Sequence, residues 1–104
     1  MLKNEMGINK IRIEETLRCI CTISEKPYTN QLIITLTPDE ILPEYISLHE
    51  AIQELNMQTL IIEEAVAKVL DIVMVSISPL EVRVTSYVED APHPVVTITK
   101  SYWR

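Results

Sequence analysis

The chain has 104 residues, a formal net charge of −6, and 47% apolar residues. This length suits one compact domain over residues 1–104 and leaves no room for a second. The nine Lys and Arg residues are scattered, which mildly disfavours general nucleic-acid binding, so a nucleic-acid role would need a local basic surface or one formed by assembly. The one glycine, Gly7, excludes the Gly-rich loops that hold phosphates. We therefore expect no cofactor bound by such a loop.

The sequence contains no run of about 18 apolar residues, and the first residues lack the apolar block of a signal peptide. Cys19 and Cys21 are spaced too closely to bridge comfortably along a strand, and no cysteine or histidine spacing is typical of a metal site. These features predict a cytoplasmic protein with reduced thiols, no metal and no membrane association.

Alternating apolar positions predict two strands in the first third of the chain. Residues 9–22 alternate except for a slip near Glu14, which a β-bulge would explain. Residues 24–30 are typical of a turn, and residues 31–37 alternate again, so the two strands should form a hairpin. The following TPDE has the pattern of a capping box and predicts a short helical turn.

The middle of the chain predicts two amphipathic helices. From about Glu44, apolar residues recur at i, i+3, i+4 and i+7, which is typical of a helix with one buried face. Thr59 is the predicted N-cap of a second helix over residues 60 to about 75, and Ser78-Pro79 ends it.

The last third predicts a second hairpin, with strands over residues 80–88 and 95–102 joined by the turn EDAPHP. This order predicts an α+β domain in which two helices cover one face of a four-stranded antiparallel sheet. The other face carries Thr, Ser, Arg and Val, and is either solvated or turned to the interior of a larger ring. Because the outer strands leave open edges, we expect the chain to oligomerise through them.

One carboxylate stands out because it begins an otherwise apolar row of the second helix. The row consists of Glu63, Ala67, Leu70 and Met74. Glu63 either interacts with the helix dipole from the first turn and extends into water, or it anchors the donor groups of a buried ligand.

Cys19 and Cys21 lie on the apolar side of their predicted strand. Each is either a small buried residue or, if its pKa is lowered, a nucleophile, and Lys26 is the cation close in sequence to Cys21. His49 and His93 are predicted to be exposed, and neither belongs to a Ser-His-Asp arrangement or a metal spacing.

The segment from Cys21 to Pro38, CTISEKPYTNQLIITLTP, resembles the part of the QueF family that begins at its catalytic cysteine. QueF proteins are the nitrile reductases of queuosine biosynthesis. In the same register, residues 39–48 resemble the segment leading into the family's Glu-Ser-Lys-Ser-Leu motif, residues 62–65 fall on its His-Glu motif, and Ser78-Pro79 falls on its Asp-Pro or Asn-Pro turn. The resemblance implies the tunnelling fold, whose element order is the one predicted above. It also implies a ring, typically a pentamer or two pentamers face to face, with sites between subunits.

The resemblance assigns roles to single residues. Cys21 corresponds to the nucleophile that attacks the nitrile of 7-cyano-7-deazaguanine to give a thioimide. Glu63 corresponds to the glutamate that holds the edge of a purine or pterin. Glu44 and Ser47 persist from the Glu-Ser-Lys-Ser-Leu motif and are predicted to contact the substrate, whereas the lysines associated with NADPH in the reductases are absent.

Two replacements bear on the reaction. Tyr28 stands where the family has an aspartate that handles protons, and Ile62 stands in place of the histidine before the glutamate. A phenol is a poor base near neutral pH, so Tyr28 or water is predicted to supply protons.

The pair Glu63-Glu64 and the missing lysines resemble the archaeal QueF-like amidinotransferases. These enzymes add ammonia across the nitrile of the base already in transfer RNA, which produces archaeosine. The resemblance therefore implies a homo-oligomeric amidinotransferase without a cofactor, acting on 7-cyano-7-deazaguanine in tRNA with ammonia or another nitrogen donor. One alternative is a non-catalytic tunnelling-fold protein that binds a purine or deazapurine or serves as a ring subunit. The others are different tunnelling-fold chemistry on pterins or purines, and an unrelated α+β module.

Overall fold

The computed structural model describes residues 2–90 and 94–104. Its strands and helices, numbered in chain order, are β1 (Leu2–Lys3), β2 (Ile11–Ile20), β3 (Pro27–Thr37), β4 (Ile41–Leu42), α1 (Tyr45–Gln53), α2 (Ile62–Ile77), β5 (Glu81–Val88) and β6 (Val96–Trp103). Four strands form an antiparallel sheet in the order β2-β3-β5-β6, and β1 pairs with β4 in a separate two-stranded ribbon. The predicted α+β class and sheet are confirmed, and the short ribbon is an addition to the prediction.

The first hairpin has no β-bulge. Every residue of β2 pairs with β3 in one unbroken register, so the predicted bulge is wrong. The apparent slip arises because Glu15 occupies an inward position of the alternation. Its carboxylate is only 10% exposed and lies 2.8 Å from Nδ1 of His49 on α1. His49 itself is exposed, as predicted.

The turn between β2 and β3 is shorter than predicted. β3 already begins at Pro27, and the backbone N–H of Cys21 donates to the carbonyl of Lys26 at 2.9 Å to close the turn. Glu25 adopts a left-handed conformation with φ of 60°. Tyr28 therefore lies in a strand rather than in the turn, and alternation directs its ring towards the helices.

The TPDE pattern does not start a helical turn, so that prediction is wrong. Thr37 ends β3, and its carbonyl accepts a hydrogen bond from Leu80 N–H at 3.0 Å. The chain then enters β4, whose partner is the N-terminal strand β1. Backbone partners from distant parts of the chain thus replace the local capping interactions.

Helix α1 begins where the sequence predicts. Glu44 is its N-cap, and the Glu44 carboxylate accepts a hydrogen bond from the backbone N–H of Ser47. A side chain of this kind satisfies one of the donors that a helix leaves open at its first turn.

Helix α2 begins at Ile62, and Thr59 is not its N-cap, so the predicted start is wrong. Instead, Thr59 forms a parallel bridge with Ile20 at the end of β2. Ile20 N–H donates to Gln58 at 2.9 Å, and Leu60 N–H donates to Ile20 at 3.0 Å. The outer edge of β2 therefore holds the segment before α2 in an extended form. The helix ends as predicted, at Ser78, which is left-handed with φ of 45°.

The core lies between the helices and one face of the sheet. Helix α2 buries an apolar stripe, and each large side chain in it contributes about 1.5–3 kcal/mol on burial. Val82, Val84 and Val88 of β5 are fully buried, whereas Leu80, the first residue of the predicted strand, precedes β5 and is 40% exposed. Of the turn EDAPHP, residues 91–93, including His93, lie outside the described residues.

The opposite face of the sheet is polar and rich in threonine. Thr85 and Thr99, for example, pair across β5 and β6 with their hydroxyl oxygens 3.0 Å apart. β2 and β6 are the outer strands of the sheet. In the part of the chain that the structure describes, no helix is long and apolar enough to cross a membrane.

Candidate active site

A cavity of about 170 Å³ lies where the first hairpin closes against the start of α2. It brings together three of the five residues with predicted site roles, namely Cys21, Tyr28 and Glu63. Its other lining residues are apolar and consist of Ile23, Ile61 and Ile62. The cavity is smaller than the roughly 300–1,000 Å³ of drug-sized pockets, so it suits a single small ring system.

Cys21 follows the last residue of β2 and opens the hairpin turn. Its thiol is only 6% exposed, yet it lines the cavity. The backbone N–H of Ser24 lies 3.5 Å from Sγ and donates to it. Hydrogen bonds from the Ser24 side chain and backbone lower the pKa of the Cys21 thiol below its ordinary value, with a smaller contribution from the backbone of Ile23. Because the thiolate is the nucleophilic form of cysteine, this turn favours a reactive sulfur.

Cys19 shares the inward face of β2 but has a different environment. It is fully buried, and burial raises the pKa of its thiol. The Asn30 side-chain amide donates to its sulfur at 3.7 Å. Cys19 therefore behaves as a structural core residue, and Cys21 is the thiol that borders the cavity.

Tyr28 forms a wall of the cavity and is 2% exposed. Its hydroxyl donates a hydrogen bond of 2.6 Å to the carbonyl of Leu60, two residues before α2 begins. Burial raises the pKa of Tyr28 far above its ordinary value. The phenol therefore stays protonated and directs its proton to the backbone.

Asn30, two residues after Tyr28 on β3, and Ser86 on β5 are buried polar residues that the sequence analysis did not identify. Ser86 donates to the side-chain oxygen of Asn30 at 2.8 Å, and Asn30 donates to the carbonyl of Leu17 at 3.2 Å. Both Asn30 and Ser86 are fully inaccessible to solvent. Their signal in the sequence is a polar residue at an inward position of an otherwise apolar alternation.

Glu63 lies in the first turn of α2 and is exposed, while its side chain lines the cavity. Among the described residues, none forms a hydrogen bond or an ion pair with the Glu63 carboxylate. Its neighbour Glu64 has a local role, because its carboxylate accepts a hydrogen bond from the Ile61 N–H at 3.1 Å. Glu63 thus lies at the positive end of the helix dipole, as the first interpretation of its position requires, and its contact with a ligand stays a prediction.

Glu44 and Ser47 are not part of this cavity within one chain. They line a second, larger cavity of about 540 Å³, with apolar walls, between the start of α1 and the last turn of α2. The carboxylate of Glu44 is engaged with Ser47, and the hydrogen bonds from Ser47 lower the pKa of Glu44. The predicted contact of these two residues with the substrate stays a prediction.

No cluster of three or more His, Cys, Asp or Glu residues within 2–90 and 94–104 has the arrangement of a metal site. We therefore assign no residues to a metal or a cofactor.

The fold of this chain matches that of known protein structures. No family model and no curated protein sequence matches the chain. The crystal structure of the archaeosine synthase QueF-Like in the apo form superposes with a TM-score of 0.84 at 15% identity, and the match covers 90% of this chain and 93% of that chain.

Two structures assigned as dihydroneopterin aldolases also match. The one from Vibrio cholerae O1 biovar El Tor has a TM-score of 0.74 at 13% identity, covering 93% of this chain and 98% of that chain. The one from E. coli, in complex with neopterin, has a TM-score of 0.73 at 11% identity, covering 91% and 99%. The chain has the tunnelling fold. The predicted fold is thereby confirmed, and the likeness to QueF-like proteins holds at the level of structure.

Proposed function

We propose that this chain is a QueF-like amidinotransferase that converts the nitrile of 7-cyano-7-deazaguanine in tRNA to the amidine of archaeosine. The observation that supports it most is the cavity in which Cys21 and Glu63 meet, on a fold shared with an archaeosine synthase. The coarser conclusion, an enzyme of the tunnelling fold, is supported by all three similar structures.

Glu63 orients the base in this scheme. A carboxylate accepts hydrogen bonds from the ring N–H and the exocyclic amine of a deazaguanine, and such charge-assisted bonds are about twice as strong as neutral ones. Because no protein group among the described residues occupies the Glu63 carboxylate, it can accept both donors. The apolar lining of the cavity suits the flat faces of the ring.

The Cys21 thiolate then attacks the nitrile carbon. A carbon–sulfur bond forms, one π bond of the nitrile breaks, and the nitrogen takes a proton to give a thioimide. The lowered pKa of Cys21 increases the fraction of thiolate near neutral pH.

Ammonia completes the reaction by adding to the thioimide carbon. A carbon–nitrogen bond forms, the carbon–sulfur bond breaks, and the thiol of Cys21 is released with an amidine as product. Water carries the protons in this scheme, because the Tyr28 hydroxyl donates to Leu60. No redox change occurs at any step, so no reductant is required.

Mass spectrometry of the intact protein tests the proposal. The protein is incubated with free 7-cyano-7-deazaguanine without ammonia, over about pH 6 to 9 so that the thiolate is populated. We expect a mass increase equal to one molecule of 7-cyano-7-deazaguanine. Addition of an ammonium salt should then release the base from the protein as the amidine and restore the original mass. Cys21→Ala should lose the adduct and Cys19→Ala should keep it. An unmodified wild-type protein throughout this range would contradict the proposal.

A second candidate is a non-catalytic tunnelling-fold protein that binds a purine or deazapurine. The observation that favours it is that Tyr28 replaces a carboxylate and is committed to a backbone carbonyl. This candidate predicts saturable binding of the nitrile in calorimetry, dependent on Glu63, with no covalent adduct.

We also propose that the chain forms a homo-oligomeric ring, a pentamer or a decamer, through the outer strands β2 and β6. Light scattering at micromolar concentration tests the assembly separately from the chemistry. A strictly monomeric species would contradict it.

A further inference from the structure

We propose that Tyr28 is a positioning residue, whose hydrogen bond to Leu60 fixes the start of α2 against the first hairpin and so sets where Glu63 lies relative to Cys21. The identity of the ligand rests on the proposed function. The tether itself is a property of the fold and can be tested without it.

The backbone of Leu60 forms hydrogen bonds with both strands of the hairpin. Its N–H donates to the carbonyl of Ile20 on β2 at 3.0 Å, and its carbonyl accepts from the hydroxyl of Tyr28 on β3 at 2.6 Å. Cys21 follows Ile20 directly, and Glu63 comes three residues after Leu60. One residue therefore connects the element that carries the sulfur to the element that carries the carboxylate.

The hydroxyl of Tyr28 is required for this connection, whereas its ring is required for packing. Tyr28 is 2% and Leu60 5% exposed, so water cannot readily replace the hydroxyl as a donor. Buried carbonyls without a partner are rare because they lose their hydrogen bonds to water and gain nothing in return. With phenylalanine at position 28, the ring would still fill its space, but Leu60 would be free to shift towards solvent and carry the first turn of α2 with it.

The same geometry argues against Tyr28 as the proton donor to the nitrile. Its proton already lies between two buried oxygens, and burial raises the pKa of Tyr28, which makes the phenol a weaker acid. Transferring that proton would require breaking the hydrogen bond that holds Leu60. Position 28 therefore acts on the reaction through the placement of Glu63.

Comparison of Tyr28→Phe with Tyr45→Phe tests this role. Tyr45 is an exposed tyrosine of α1, so its substitution removes the same atoms away from the cavity. For 7-cyano-7-deazaguanine we expect Tyr28→Phe to raise the Kd about tenfold, the size of one unmade buried hydrogen bond, while the maximal rate of adduct formation changes less than about threefold. Tyr45→Phe should change neither. A large fall in maximal rate with an unchanged Kd and a shifted pH profile would instead make Tyr28 a proton donor and overturn the inference.

A double-mutant cycle with Glu63→Gln separates positioning from a general structural effect. If Tyr28 acts by placing Glu63, the loss of affinity in Tyr28→Phe should shrink to less than about threefold once Glu63 is replaced. Fully additive losses would contradict the inference, because they would mean that the two residues act independently.

Hydrogen exchange provides the readout that does not depend on the reaction. In Tyr28→Phe the hydrogen-bonded backbone amides of Leu60, Ile61 and Ala65 should exchange at least about tenfold faster, while the amides of β5 and the circular dichroism spectrum stay unchanged. Unaltered protection of these three amides would overturn the tether. If the wild-type protein forms no adduct but Tyr28→Phe shows this exchange pattern, the proposed function is contradicted and the positioning role stands.

Discussion

The two ends of α2 each border a cavity, and the two cavities are built in different ways. At the start of the helix, Cys21 and Glu63 border a small cavity, and Glu63 has no partner in the described residues. At the end of the helix, about 20 Å away along its axis, Glu44 and Ser47 border a larger apolar cavity but bond to each other. A carboxylate that caps its own helix is less available to a ligand than one left without a partner. The contrast therefore supports the proposed site at the start of α2.

The largest effect that would sharpen this contrast is expected for Glu63→Gln. Loss of a charge-assisted acceptor should weaken binding of 7-cyano-7-deazaguanine by about 100-fold, measured by calorimetry. Glu64→Gln is the matched control, because glutamine can still accept the Ile61 N–H in a capping box. Equal losses in both variants would show that the charge of the helix start matters rather than Glu63 itself.

Thiol reactivity provides a second test at the same end of the helix. Iodoacetamide should label Cys21 at least about tenfold faster than Cys19, because a thiol with a lowered pKa has more thiolate and the other is fully buried. The labelling of Cys21 should also rise at a lower pH than that of a free cysteine. Peptide mapping after alkylation at several pH values measures both. Faster labelling of Cys19 in the folded protein would break the distinction between the two thiols.

The buried hydrogen bond between Ser86 and Asn30 predicts that two serine substitutions differ in their effect on stability. Ser86→Ala removes the donor to the side-chain oxygen of Asn30 and should lower the free energy of unfolding by about 1–2 kcal/mol in urea denaturation. Ser76 lies in the last turn of α2 and is exposed, and within the described residues its hydroxyl bonds its own helix at Ile72. Ser76→Ala should therefore be neutral or slightly stabilising. An unchanged free energy of unfolding in Ser86→Ala would show that the hydrogen bond to Asn30 does not stabilise the fold.

The smallest effect is expected for Glu44→Gln, which replaces a charged N-cap by a weaker one. The pKa of Glu44 is lowered in the folded chain, so its contribution to stability is present above the ordinary value and is lost as pH falls through the folded value. At neutral pH the Tm should fall by a few degrees, and the difference from wild type should vanish once the pH falls below the lowered pKa of Glu44. Glu50→Gln, on the exposed middle of α1, is the control. A 100-fold loss of ligand binding in Glu44→Gln would break the contrast between the two ends of α2.

Local patterns were sufficient where one pattern had one structural meaning. The alternation of residues 31–37 predicted a strand, and Leu32, Ile34 and Leu36 form the buried face of β3. The recurrence of apolar residues in α2 predicted the long helix. Together with the order of elements, they determined the α+β class. The resemblance at Cys21 and Glu63 assigned both residues to one ligand. Both line one cavity of the chain, and their joint contact with a ligand stays a prediction.

Tertiary partners decided the remaining features, because a local pattern cannot show which distant group will bind a residue. Glu15 resembled a slip in the strand until His49 of α1 was seen to pair with it, and Thr59 resembled a helix cap, although the edge of β2 binds its segment. The sequence places Cys19 and Cys21 on the same face, but only depth and neighbouring donors give their thiols opposite pKa shifts. Desolvation and hydrogen bonding depend on three-dimensional neighbours, and those exist only once the chain has folded.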